Sequence, residues 1–207
     1  MVEELVWELE SKGLVDIRDG VVSIQSRNRL ALALELISRG TDPELVSKAL
    51  AWGEFESLVS KILELCEYST LGHVVVKDGR KRFEIDVVAA RKPVILCVDC
   101  KHWKRSWLRA AYSEIAKRQV ERSRVLGLPD NLRRRVAVDG WKWADLFPVV
   151  VTLAATPIVM CGDVPVVSVY KFGSFLREFG SHQQVLKKIH VELGDLDESS
   201  RSLWKRA

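Results

Sequence analysis

Two neighbouring stretches decide the reading of this chain: Phe83-Glu84-Ile85-Asp86-Val87-Val88-Ala89-Ala90 and, three residues later, Val94-Ile95-Leu96-Cys97-Val98-Asp99-Cys100-Lys101. Both are strand-length apolar runs that nonetheless carry acids. The link Arg91-Lys92-Pro93 is short, so the runs should form an antiparallel hairpin. A hairpin centred between Lys92 and Pro93 pairs residues whose numbers sum to 185, which sets Asp86 opposite Asp99. Their Cβ atoms would then lie about 5 Å apart. Asp99 and Lys101 share a face because strand side chains alternate with period two. A slip of one residue would separate the two acids onto opposite faces.

Two facing carboxylates repel, and burying them costs several kcal/mol unless something compensates. A divalent cation does so, and an oxygen-rich set suits Mg²⁺ or Mn²⁺ rather than zinc. Lys101 is placed to orient a water nucleophile or to stabilise charge developing on a phosphate. The plainer alternative is an ion pair on an exposed strand. The flanking Val87, Val88, Leu96 and Val98 argue against it. Cys97-Val98-Asp99-Cys100 invites a zinc site, but positions three apart on a strand point to opposite faces, so both thiolates cannot reach one ion. Buried core cysteines explain them better.

Upstream, residues 53–67 read as a helix with an apolar stripe at Phe55, Leu58, Val59, Ile62, Leu63 and Cys66. Glu56 lies beside that stripe and is the better placed of the two nearby glutamates to approach the sheet. An ordinary helix-rim glutamate is the alternative. Downstream, a long helix runs from about 106 to 126, with Leu108, Ala111, Tyr112, Ile115 and Leu126 inward, and Gln119 and Arg122 on the same stripe. A buried glutamine needs partners. Gln119 could reach a phosphate or a site water, or make a structural hydrogen bond.

Charge is distributed unevenly. Residues 101–135 hold eleven Lys or Arg against three Asp or Glu, while the remainder holds twenty-one against twenty-five. A basic stripe on a mildly acidic body is the footprint of a polyanion partner, or else a solvated helix face. Lys104, Arg105, Arg109, Lys117, Arg118 and Arg124 are the candidate phosphate contacts. Trp103 and Trp107 could stack on bases, or fill a core edge.

Trp52-Gly53-Glu54-Phe55-Glu56, Glu84-Ile85-Asp86 and Val98-Asp99-Cys100-Lys101-His102-Trp103 together resemble the Mrr-type restriction endonucleases and the archaeal Holliday-junction resolvases of the PD-(D/E)xK nuclease superfamily. The likeness covers roughly residues 52–125. It implies a metal held by Asp86, Asp99 and the Cys100 carbonyl, a lysine, Lys101, that assists the attacking water, and a helical glutamate, Glu56, completing the site. A glutamine following the lysine, as in RecB-like members, would be Gln119. Ile85 stands where the superfamily's proline would precede the first aspartate, which shortens the motif.

Around this centre, residues 2–12 and 27–39 read as helices flanking a hairpin, Leu14–Ile17 and Val21–Ile24, turned by Asp19-Gly20. Thr41-Asp42-Pro43-Glu44 is a capping box for a short helix to about Leu50. This resembles the second half of a winged helix; a packing or dimerisation unit is the alternative. Strands near 147–154 and 164–170 follow, and the chain from Phe172 reads as helical.

The expectation is an α/β protein with a restriction-endonuclease-like central mixed sheet flanked by helices. Residues 1–50 would be a helix-hairpin-helix subdomain and 51–207 the nuclease domain. No run of eighteen apolar residues and no apolar leader occurs, so the expected location is the cytoplasm, without membrane contact. The four scattered cysteines do not form a disulfide framework. The expected activity is Mg²⁺- or Mn²⁺-dependent hydrolysis of DNA phosphodiesters, by a protein that can pair as a homodimer. The alternative is a nucleic-acid-binding or structural subunit that keeps the fold without cleavage.

Overall fold

The computed structural model describes residues 2–42, 45–46, 48–101, 109–153 and 159–194, with the side chains of 109–111 and 159 excepted. The N-terminal elements are α1 (Val2–Ser11), the hairpin β1 (Asp16–Arg18) and β2 (Val21–Ser23), and α2 (Arg29–Ser38). Asp19 and Gly20 both take positive φ, 51° and 75°, as a two-residue hairpin turn requires. Then come α3 (Trp52–Leu65), β3 (Ser69–Asp78), β4 (Lys81–Arg91), β5 (Val94–Lys101), α4 (Arg109–Leu126) and α5 (Pro129–Arg135). The described chain continues through β6 (Trp143–Thr152), β7 (Val159–Cys161), β8 (Val164–Ser168), α6 (Val169–His182) and β9 (Ile189–Glu192).

Among the described residues, seven strands form one mixed sheet in the order β3-β4-β5-β6-β8-β7, with β9 also on β6. β5, β6 and β8 run parallel, and the other pairings are antiparallel. Helices cover both faces. On one face, Phe55, Leu58, Val59 and Leu63 of α3 and Phe172, Leu176 and Phe179 of α6 pack on Val87, Leu96, Val98, Val149 and Val151. On the other, Val125 and Leu126 of α4 and Leu132 of α5 meet Val88, Ile95, Cys97 and Leu146, while Tyr112 and Ala116 meet Val150 and Val166. Each fully buried Leu or Phe of these layers is worth about 2–3 kcal/mol of apolar burial. β5 is buried on both faces from Val94 to Cys100, which is why its sequence is nearly all apolar.

β6 shows how local sequence fits this order. Asp145 and Leu153 donate their amides to Pro93 and Lys101, towards β5. The nitrogen of Pro148 therefore faces the opposite edge. There β9 pairs only up to Leu146 and β8 only from Val150, so the missing N–H falls between the two partners.

The hairpin register is the expected one: Arg91↔Val94 through Val87↔Val98, all summing to 185. Several boundaries differ from the sequence reading. The strand expected to run to 170 stops at Ser168 and α6 begins at once, while α5, β7 and β9 were not anticipated. β7 and β9 are short edge strands of three and four residues, too brief for a periodic signal. The capping-box residues Pro43 and Glu44, and the start of the helix expected from 106, lie outside the described residues. In the N-terminal region Leu9, Val15 and Leu32 form a small core of their own, whereas Ala33, Val46 and Leu50 join the α3 core. No helix among the described residues is long and apolar enough to cross a membrane.

Candidate active site

At Asp86 the regular sheet is interrupted. Phe83 and Ile85 face the α4–α5 core, yet Val87 and Ala89 face the α3–α6 core, so the period-two alternation of β4 changes phase at the residue between. Pairing lapses there too. β3 meets β4 at Gly72↔Val87 and again at Val74↔Ile85, but not at His73 and Asp86, and His73 takes φ 52°. The β4–β5 ladder ends at Val87↔Val98. The Cys100 amide, aimed at β4, donates instead to Asp86 Oδ2 at 2.7 Å. A carboxylate has replaced the next rung. The Cys100 carbonyl projects to the same side as its amide, towards the gap.

Asp99 is 1% exposed on the α4 face, with Lys101 one step further along β5. Lys101 Nζ lies 2.9 Å from Asp99 Oδ1 and 2.7 Å from Oδ2; only the former has hydrogen-bond geometry, and Oδ2 is otherwise without a donor among the described residues. Arg122 Nη1 donates to Asp99 Oδ1 at 2.5 Å. Two cations thus sit on one buried carboxylate.

Glu56 arrives from α3, buried at 6% exposure. The Trp52 indole N–H donates to its Oε1, while Oε2 has no hydrogen-bond donor among the described residues and lies 3.4 Å from His73 Nε2. Glu54 is occupied elsewhere: its Oε2 accepts the Ala51 amide at 2.6 Å, capping the start of α3. Gln119 is fully buried, donating Nε2 to the Cys97 carbonyl at 2.8 Å, with Oε1 unpartnered among the described residues.

The electrostatics bind these groups together. Burial pushes the Asp86 carboxyl up to about 6, and the charge of Asp99 and then Glu56 adds to it, while the Cys100 amide and Lys101 pull the other way. Burial, followed by the nearby carboxylates, raises the Cys100 thiol well above its ordinary value, and burial pushes Cys97 up to about 12. The two thiols lie in different cores, Cys97 on the α4 side and Cys100 on the α3 side. Neither is a thiolate ready for zinc.

The carboxylates and carbonyl at the gap are hard oxygen donors of the kind Mg²⁺ or Mn²⁺ prefers, and Glu56 Oε2 is a buried acceptor with no hydrogen-bond donor among the described residues. In chemistry the residues fit such an ion. In the described arrangement they are not drawn together around one: no cluster of three or more His, Cys, Asp or Glu side chains with metal-holding geometry is present among the described residues.

The basic residues separate into two groups. Lys104 and Arg105 lie outside the described residues, as does the side chain of Arg109. Lys117, Arg118 and Arg124 are exposed on α4, Arg118 sharing its charge with Glu114 at 3.2 Å. Two contacts were not assigned from sequence. Arg122 was visible as a charge on an inward stripe, which demands a partner. His73 carries no sequence signal, because its reach to Glu56 and to Glu84, 3.3 Å from Nδ1, depends on the backbone break.

Residues 47–125 match the Mrr_cat restriction endonuclease family, and over this stretch the likeness to Mrr-type PD-(D/E)xK nucleases is shown. The stretch includes Glu56, Asp86, Asp99, Lys101, Gln119 and Arg122. An uncharacterised protein of Archaeoglobus fulgidus is 40% identical over 75 residues, which are 36% of this chain and 56% of that relative. Among solved structures, a protein of unknown function aligns over 61% of this chain and 65% of its own, at 18% identity and a TM-score of 0.38. A Vibrio cholerae protein aligns over 88% and 41%, at 13% identity and a TM-score of 0.35.

Proposed function

We propose that this protein is a metal-dependent endonuclease that hydrolyses DNA phosphodiester bonds, with its centre at Asp86, Asp99 and Lys101. One observation carries the reading. Within the segment that matches a restriction endonuclease family, the sheet opens at Asp86, where a carboxylate with a raised pKa meets the buried Asp99–Lys101 pair.

Asp86, Asp99, the Cys100 carbonyl and Glu56 are the residues that would hold Mg²⁺ or Mn²⁺. When bound, such an ion supplies Lewis acidity to water and phosphate. Lys101, as a three-donor ammonium fixed by Asp99, orients the attacking water and neutralises charge gathering on the phosphate. The Cys100 amide holds Asp86 in place, and Trp52 does the same for Glu56. Gln119 ties α4 to β5 through Cys97 and keeps one carbonyl oxygen for a site water or phosphate. Lys117, Arg118 and Arg124, with Lys104, Arg105 and Arg109, hold the DNA backbone by its phosphates, so binding would be insensitive to sequence. In this reading residues 1–50 are a helix-hairpin-helix accessory unit to a nuclease domain of 51–207, and the protein works in the cytoplasm and can pair as a homodimer.

A binding subunit without cleavage has one observation in its favour: Asp99 is already neutralised by Lys101 and Arg122. Incubating the purified protein with labelled branched, duplex and single-stranded DNA, with Mg²⁺, Mn²⁺ or chelator, separates the two. Cleavage that needs the metal and disappears in Asp99→Ala supports the nuclease. Tight DNA binding with no cleavage under any metal supports the subunit.

A further inference from the structure

Arg122 presents a problem that the catalytic reading does not resolve. Asp99 Oδ1 accepts from Lys101 at 2.9 Å and from Arg122 at 2.5 Å, so both of its lone pairs are engaged. A metal ion taking Oδ1 must displace one donor, and one taking Oδ2, which has no hydrogen-bond partner among the described residues, must still share the carboxylate with Arg122 on Oδ1 and with Lys101, 2.7 Å from Oδ2. Lys101 is the harder to move: it stands two residues along the same strand, also lies 2.7 Å from Oδ2, and its side chain is 18% exposed. Arg122 arrives from α4, on the face of the sheet that Asp99 occupies, by a long side chain that is 29% exposed and donates to Asp99 from a single nitrogen. It has somewhere to go.

We infer that Arg122 is a surrogate cation. It neutralises Asp99 while the site is empty, competes with the divalent ion for the Asp99 carboxylate, and on release turns its guanidinium to the DNA phosphate. This rests on the metal-site reading above and adds a coupling to it. Charge supports the same direction. Glu56, Asp86 and Asp99 against Lys101 and Arg122 leave one net negative charge; without Arg122 there would be two, a stronger attractor for a divalent ion. A phosphate that draws Arg122 away from Asp99 clears the ligand position, so DNA should tighten metal binding. By linkage, metal should tighten DNA binding by the same factor. A guanidinium suits this exchange because its planar fork matches carboxylate and phosphate alike. Arg122 is in this scheme a positioning residue, acting through Asp99 until substrate arrives.

The test reads binding rather than cleavage. Mn²⁺ affinity is measured by calorimetry on wild type, Arg122→Gln, Arg122→Lys and Asp99→Asn, first alone and then with a non-cleavable phosphorothioate duplex; thermal melts verify that each variant is folded. Arg122→Gln should bind Mn²⁺ about fivefold more tightly than wild type or better, in the usual range of such couplings. DNA should tighten Mn²⁺ binding by a similar factor in wild type and have no such effect in Arg122→Gln. Arg122→Lys, which keeps the charge, should restore part of the competition. If Arg122→Gln binds Mn²⁺ no tighter than wild type while Asp99→Asn abolishes binding, the surrogate role is wrong and the metal site stands. If wild type binds no Mn²⁺ with or without DNA, the metal site and the surrogate role fall together.

Discussion

From Arg91↔Val94 to Val87↔Val98 the β4–β5 hairpin is an unbroken antiparallel ladder, and beyond the exposed Arg91 its side chains are apolar and largely buried on both faces. One residue beyond, at Asp86 and Asp99, the rungs stop, the facing of β4 changes phase, and an aspartate carboxylate takes up the free Cys100 amide. The two halves share a register and a strand pair but perform different work. A ladder spends every backbone group on its neighbour and leaves none for a ligand. A site needs the reverse, with an amide to fix a carboxylate, a carbonyl facing open space, and side chains from both helical layers reaching one place. α3 and α4 lie on opposite faces of the sheet, and Glu56 and Arg122 both reach the centre at the break.

Breaking the open half should have the largest effect. Asp86→Ala or Asp99→Ala is expected to lower cleavage by at least about a hundredfold, since an activated water and its charge clamp are lost, with DNA affinity held within a few fold. Wild-type cleavage rates in either variant would remove the site from this end of the hairpin. Breaking the closed half should act on stability. Leu96→Ala, at a fully buried position of the ladder, should cost about 2–5 kcal/mol in denaturant unfolding while leaving the turnover of folded protein near normal. A large loss of turnover at unchanged stability would mean that the two halves are not separable.

A smaller effect sharpens the contrast through pH. The folded Asp86 carboxyl is raised to about 6 from an ordinary 3.8. A raised carboxyl favours folding while protonated: its contribution is fully present below about pH 4 and lost as the pH climbs through about 6. At neutral pH the ionised group therefore strains the metal-free fold. Asp86→Asn, which can still accept the Cys100 amide, should stabilise the metal-free protein at pH 7.5 by on the order of 2 kcal/mol, with the gain shrinking towards pH 4. Thermal melts across that range with chelator present measure it, and a constant difference would refute the shift. Cleavage should decline below about pH 6, because a protonated Asp86 cannot hold the metal.

The smallest effect lies outside the hairpin. Replacing Lys117, Arg118 and Arg124 together should flatten the slope of log affinity against log salt by roughly two to three, equally for every DNA sequence, with cleavage at saturating DNA largely kept. Coincident slopes for wild type and variant would make this helix face an ordinary solvated surface.

Much of what rests on neighbours in the chain was legible in the sequence, although the short helix α5 and the β7–β8 hairpin, both local, were not. The Lys92-Pro93 turn and period-two alternation determine the register sum of 185, and with it the nearness of Asp86 to Asp99 and Lys101. The helical period likewise places Glu56 beside the buried stripe of α3, and puts Gln119 and Arg122 on the inner side of α4. What the tertiary structure decided depends on contacts between distant segments. The phase change at Asp86 exists because β4 must serve the α4–α5 core with Ile85 and the α3–α6 core with Val87, and no local pattern encodes which core lies where. The approach of His73 to Glu56 follows from that break. Arg122 reaches Asp99 only because α4 packs across the sheet, 23 residues away in sequence. β9 finds β6 across a still longer separation, and its four residues carry too little pattern to announce a strand before its partner is in place.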